Sequence, residues 1–254
     1  MTNSIPLREF DPDRDAIIEP SKVIKQRDLP ENCVLCFFRE VIAGAKERLE
    51  LKPLHPLISE MGEIPVFSAV YAGRPFGIVP ALVGAPLAAA HLEELIARGG
   101  RKFIVCGGAG VLDESIGSGD IIVPVSAVRD EGTSYHCLPS GREAHPSTAA
   151  VEAITRVLER HKCRYVQGKT WTTDAIYRET RNRVAKRRSE GCLTVEMEAA
   201  AFFAVGEFRR VQIAMLLYGG DDVSGIEWDP REHGQKVSAR EKLFWLSVEA
   251  CAGM

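Results

Sequence analysis

No apolar stretch in this chain approaches the roughly 20 residues needed to span a bilayer, which argues against a membrane helix. The segment Met1 to Glu19 is polar and of mixed charge, without the apolar core of a secretory signal. A cytoplasmic location is therefore expected. Charge of one sign is also scarce: 32 Lys and Arg stand against 35 Asp and Glu, a formal net charge of −3. That removes any global electrostatic pull toward nucleic acid.

Seven cysteines, an odd number, are scattered through apolar segments. No disulfide framework is expected, and they read as small core residues. Cys33 and Cys36 form a CxxC, but they lie in the apolar run Cys33 to Phe38. Positions i and i+3 of a strand face opposite ways, which argues against a metal knuckle. The six histidines share no metal-ligand spacing, and no Ser/His/Asp order or nucleophile elbow is visible. Covalent and metal mechanisms lose weight, so no metal and no cofactor is expected. Repeats, low-complexity tracts and internal linkers are missing too. The run Arg178 to Arg188 concentrates Arg181, Arg183, Lys186, Arg187 and Arg188, and it reads as the solvated face of a helix.

What is present is an alternation of apolar runs with helical patterns over 254 residues, the signature of a layered α/β fold. A single domain over 1–254 is expected, with 1–32 as an N-terminal extension. Strands are predicted at Cys33–Phe38, Ile64–Tyr71, Phe76–Pro80, Lys102–Cys106, Ile121–Val128 and Val211–Tyr218. The turn Ala72-Gly73-Arg74-Pro75 signals a hairpin. Helices are predicted at Arg39–Leu49, from Gly84-Ala85-Pro86 onward, and at Ser147–His161, Tyr177–Arg188, Val195–Phe208 and Val237–Cys251.

Three features fall at the carboxyl ends of predicted strands, where open α/β sheets place their ligands. One is the loop Gly107-Gly108-Ala109-Gly110, whose backbone N–H groups could approach an anion or a sugar. The second is Leu193-Thr194-Val195-Glu196-Met197-Glu198-Ala199-Ala200-Ala201, where two carboxylates meet a run of alanines. Either both glutamates open a helix and face its dipole, or the charges serve a site. The third is Asp221, after two glycines, a position suited to a carboxylic acid kept protonated by burial. Acids, glycine backbone and few nucleophiles fit glycosyl transfer, in which one carboxylate grips sugar hydroxyls and an acid protonates the leaving group.

In order along the chain, Val83-Gly84-Ala85-Pro86, Gly107-Gly108-Ala109-Gly110, Gly119-Asp120-Ile121-Ile122-Val123, Val195-Glu196-Met197-Glu198-Ala199-Ala200 and Gly220-Asp221 resemble the nucleoside phosphorylase and nucleosidase superfamily. The resemblance covers roughly Phe76 to Cys251. It implies a three-layer α/β domain with a central mixed sheet flanked by helices, and cleavage of a nucleoside. It further implies that Glu198 binds ribose hydroxyls, that Met197 packs on the sugar, and that Glu196 lines the same pocket. By the same resemblance Asp221 protonates a purine at N7, Arg240 pairs with that acid, and Tyr177 closes over the base or sugar. Phosphate is the implied co-substrate, and a homodimer or hexamer the implied assembly.

The chain departs from the family where phosphate is held. Val105 and Gly108 stand where an arginine and a serine or threonine are usual, and no Gly-Asp-Pro loop follows a strand near the N-terminus. Arg39 and Gly84, with Gly107 and Gly108, are the remaining candidates near an anion. The residues after Tyr177, Arg178-Glu179-Thr180-Arg181-Asn182, lack the Gln and Arg that read uracil, which favours a purine. Three readings follow: a purine-type nucleoside phosphorylase, a nucleosidase using water with Glu40 as the second acid, or a nucleoside-binding protein without turnover.

Overall fold

The computed structural model describes residues 5–60, 62–231 and 233–254. Helix α1 (Pro20–Val23) precedes β1 (Asn32–Cys36) and α2 (Arg39–Ala45). Short strands β2 (Lys52–Pro53), β3 (Leu57–Ser59) and β4 (Gly62–Ile64) lead to the hairpin β5 (Phe67–Tyr71) and β6 (Arg74–Pro80), then α3 (Ala85–Ala97). The second half runs β7 (Lys102–Val111), β8 (Ile121–Asp130), β9 (Glu143–Ala144), α4 (Thr148–Arg160), β10 (Tyr165–Thr173) and α5 (Arg181–Ser189). It closes with β11 (Cys192–Glu196), α6 (Ala199–Arg209), β12 (Gln212–Asp222) and α7 (His233–Ala252).

One mixed sheet runs β11-β10-β8-β12-β7-β1-β6-β5-β2, with β9 added to β8. Its centre is parallel, β6 to β1 to β7 to β12, and these strands are apolar because both faces are covered. On one face lie α3 and α6, and on the other α2, α4 and α7. Cys33 belongs to the first apolar layer and Cys36 to the second, so the CxxC is split across the sheet as strand alternation requires. This is the three-layer architecture expected from the sequence.

At one end the sheet closes on itself. β11 pairs with β10 on one side and, antiparallel through Thr194 and Val195, with Val111 and Gly110 of β7 on the other. The glycine loop expected at 107–110 is thus not a loop: β7 continues through it to Val111. The missing side chains let neighbours approach, since a Cβ on Gly110 would stand 3.0 Å from Val195 Cγ1 and one on Gly107 would stand 3.0 Å from the Phe37 ring.

Other boundaries also moved. The helix expected from Val195 begins at Ala199, because Val195 and Glu196 complete β11. The helix expected over Tyr177–Arg188 is a 3-10 turn, Ile176–Arg178, followed by α5. The hairpin is as expected, with Tyr71 paired to Arg74 around the left-handed residues Ala72 (φ 50°) and Gly73 (φ 77°). The described part of the N-terminal extension packs on the α3 and α6 side. There Glu19 pairs with Arg209 at 3.1 Å, and Asp28 grips the buried Arg98 through two hydrogen bonds of 2.9 Å.

Candidate functional site

Glu196 ends β11 and Glu198 is the N-cap residue of α6. Both are buried. Glu196 accepts hydrogen bonds from the Thr172 hydroxyl (2.6 Å) and from the backbone N–H groups of Glu198 (2.7 Å) and Ala199 (2.6 Å). It therefore fastens the first turn of α6, in favourable contact with the helix dipole. Beside any place on the ligand pocket it thus has a structural duty, because these protein donors engage both of its oxygens.

Glu198 is aimed elsewhere. Its Oε1 accepts the backbone N–H of Gly84 at 2.6 Å, where a left-handed glycine (φ 97°) starts α3. Gly84 was a candidate anion donor, but its N–H is spent on this carboxylate. Burial and the negative charge of Glu196 push Glu198 up to about 8. Burial also pushes Glu196 up to about 7, against the pull of its donors. Donors surround Glu196, and Glu198 is the more strongly raised of the two.

Asp221 follows a register break between Gly219 and Asp221 in β12. That break turns it toward β7 and β11. Its Oδ1 would lie 3.6 Å from a Cβ on Gly110, beside Val195 and Val223. Its Oδ2 accepts the indole N–H of Trp228 at 2.7 Å. A second carboxyl is close, since burial and the charge of Asp221 push Glu179 up to about 7. Gly119-Asp120 has a structural duty at this end: its backbone exchanges hydrogen bonds with Gly219 at 3.0 and 3.1 Å.

Arg240 does not meet Asp221. Its Nε donates to the Tyr218 hydroxyl at 3.0 Å and its Nη1 to Glu40 at 2.8 Å. Tyr218 lies in the apolar layer under α7, whereas Asp221, after the break, sits beside Val195 and Val223. The Tyr218 ring covers Gly108, whose Cβ would lie 3.0 to 3.2 Å from it. Gly108 is nevertheless exposed on its other side. Arg39 is exposed at the first turn of α2.

A family model described as the phosphorylase superfamily matches residues 33–245. The chain belongs to the phosphorylase superfamily. Guanosine phosphorylase of Halorubrum lacusprofundi is 29% identical over 66% of this chain and 70% of its own length. Among solved structures, uridine phosphorylase of Vibrio fischeri superposes with a TM-score of 0.73 at 26% identity, covering 89% of this chain and 92% of that one. Purine nucleoside phosphorylase of Toxoplasma gondii shares the fold, with a TM-score of 0.78 at 18% identity over 89% of this chain and 92% of that one.

On this phosphorylase-superfamily frame, the remaining sequence candidates separate. Met197 is half-buried between the two glutamates. Tyr177 is 95% exposed, so it is not packed over the crevice as the sequence suggested. The basic run is not a plain solvated face either. Arg187 is buried against Trp171 and pairs with Asp130 at 2.8 Å, while Arg181 and Arg188 donate to the carbonyls of Ile226 and Ser224. Those contacts tie α5 to the loop 223–228, and the two line a cavity of about 350 Å³ with Glu179 and Trp228. Neither Glu179 nor Trp228 was singled out from sequence. A tryptophan in the short loop that follows Gly219-Gly220-Asp221-Asp222 was the available signal.

Proposed function

We propose that this protein cleaves the N-glycosidic bond of a purine ribonucleoside with phosphate, releasing the base and ribose 1-phosphate. The reading rests on one observation: Glu198 and Asp221 are held separately at the carboxyl ends of one sheet, each with one oxygen anchored by a protein donor. In this mechanism Glu198 accepts ribose hydroxyls, and its charge favours the oxocarbenium-like sugar as the bond from C1′ to the base lengthens. Asp221 delivers its proton to N7, so the base departs neutral. A phosphate oxygen then forms the new bond at C1′. With the Gly84 N–H committed to Glu198, phosphate is assigned to the exposed face of Gly108, with Arg240 and Arg39 supplying positive charge.

A purine is supported by the missing uracil-reading residues after Tyr177 and by the guanosine phosphorylase relative. A homodimer or hexamer in the cytoplasm, acting on small molecules and on neither nucleic acid nor membranes, belongs to the same reading. Hydrolysis is the second reading, and it is favoured by Glu40, which Arg240 holds while also donating to the Tyr218 hydroxyl beside Gly108, since a carboxylate there suits activation of water.

The test is to supply guanosine, inosine and uridine with and without phosphate and to identify the sugar product. Phosphate-dependent formation of ribose 1-phosphate from the purine nucleosides is expected. Phosphate-independent release of ribose would replace this reading with hydrolysis. Saturable binding without product would make the chain a nucleoside-binding protein.

A further inference from the structure

Trp228 stands in a loop built with unusual care. Backbone hydrogen bonds between Asp222 and Asp229, 2.8 and 3.0 Å, close the base of the segment 223–228. Asp222 accepts from the Ser224 N–H at 2.8 Å and from Arg231 at 3.1 Å, and Arg231 also donates to the Ile116 carbonyl at 2.7 Å. From the outer side, Arg181 and Arg188 hold the carbonyls of Ile226 and Ser224. Yet the indole at the end of this loop is 65% exposed. Burial therefore explains little of its position. Its directed contact is the N–H donated to Asp221 Oδ2.

We propose that Trp228 is a positioning residue for the acid: the indole holds Oδ2 of Asp221 so that Oδ1 is presented over Gly110 to the departing base. This rests on the reading of Asp221 as the proton donor. A carboxyl free to rotate would offer either oxygen in many orientations, and proton transfer requires one orientation within hydrogen-bond reach. The loop fixes the rotation. Glu179, from the turn before α5, is a titratable group facing this carboxyl, and the neutral indole N–H of the loop is its donor. The cavity between α5 and the loop leaves room beside the indole for a substituent of the base.

The experiment compares Trp228→Phe, which keeps a ring and loses the donor, with Asp221→Asn, on guanosine and on 7-methylguanosine at saturating phosphate. The second substrate already carries positive charge at N7 and needs no proton there. Trp228→Phe should lower kcat on guanosine by about tenfold to hundredfold, within the range that general acid catalysis supplies. Its rate on 7-methylguanosine should stay within about twofold, the signature of a lost acid function and not of general damage. Equal losses on both substrates, or none on guanosine, would overturn the proposal. An Asp221→Asn variant as fast as wild type on guanosine would instead overturn the acid reading itself.

A measurement without turnover completes the test. The indole resonance of Trp228, identified among the three tryptophans by its absence in Trp228→Phe, should shift in Asp221→Asn. An unmoved resonance would rule out the contact, whatever the kinetics.

Discussion

The carboxylate of Glu196 receives the backbone N–H of Glu198 at 2.7 Å, so the residue that closes β11 also holds the backbone of the sugar-binding candidate two positions on. Glu196→Gln replaces one acceptor oxygen by an amide facing donors. Leaving buried donors without an acceptor costs about 1–3 kcal/mol. The variant should unfold at lower urea than wild type by that amount, and its KM for the nucleoside should rise because Glu198 loses its support. Equilibrium unfolding and KM measured on the same preparation check both effects.

Stability should fall as pH rises from about 5 to about 8. In the folded chain Glu196 and Glu198 are pushed up to about 7 and about 8 by burial, while an unfolded glutamate titrates near its ordinary value of 4.5. Between those limits the native state binds more protons than the unfolded state, so raising pH favours unfolding. The contribution is fully present below about 4.5 and is lost once pH passes the folded values. Urea midpoints at intervals across this range give the slope, and Glu198→Gln should flatten it. Because ribose hydroxyls donate to the ionised carboxylate, KM for the nucleoside should also rise as pH falls below about 8.

How much of this was legible in sequence follows from the kind of signal each residue leaves. The central strands and the order of the motifs were readable because apolar runs and glycine turns are local patterns. β10 was missed, since Thr170, Thr172 and Thr173 are polar by type although fully buried, their hydroxyls engaged across the sheet or to backbone. The glycines at 107–110 looked like a loop because closure of the sheet by β11 against β7 is a long-range pairing with no local trace. The partner of Arg240 was misassigned for a similar reason. Asp221 lies where β11 closes the sheet on β7, beside Val195 and Val223, away from the apolar layer under α7 that holds Tyr218, and that closure has no local trace either.

The Tyr218 ring leaves no space over Gly108. Gly108→Ala would put a Cβ 3.0 Å from ring carbons, and the ring must shift or the strand must bend. Overpacking of this size costs about 1–3 kcal/mol. The expected result is a lower denaturation midpoint that Tyr218→Ala in the same chain partly restores. Adding the two single effects and comparing them with the double variant measures the coupling, and strict additivity would mean that the two residues do not touch.

Arg240 carries the last prediction, because it decides which end of the reaction it serves. Its ion pair with Glu40 is half exposed at the carboxylate, and pairs of that kind contribute about 0–1 kcal/mol. An incoming phosphate can therefore take over the guanidinium at small cost. Arg240→Ala should raise KM for phosphate by roughly tenfold or more, the loss of one charge-assisted hydrogen bond. KM for the nucleoside should change little, since the base and sugar carboxyls Asp221 and Glu198 have other partners. Glu40→Gln separates the two chemistries. If phosphate is the nucleophile, the loss of Glu40 frees Arg240 and lowers KM for phosphate. If water is, the loss of Glu40 abolishes turnover with phosphate absent, and initial rates at several phosphate concentrations distinguish the two.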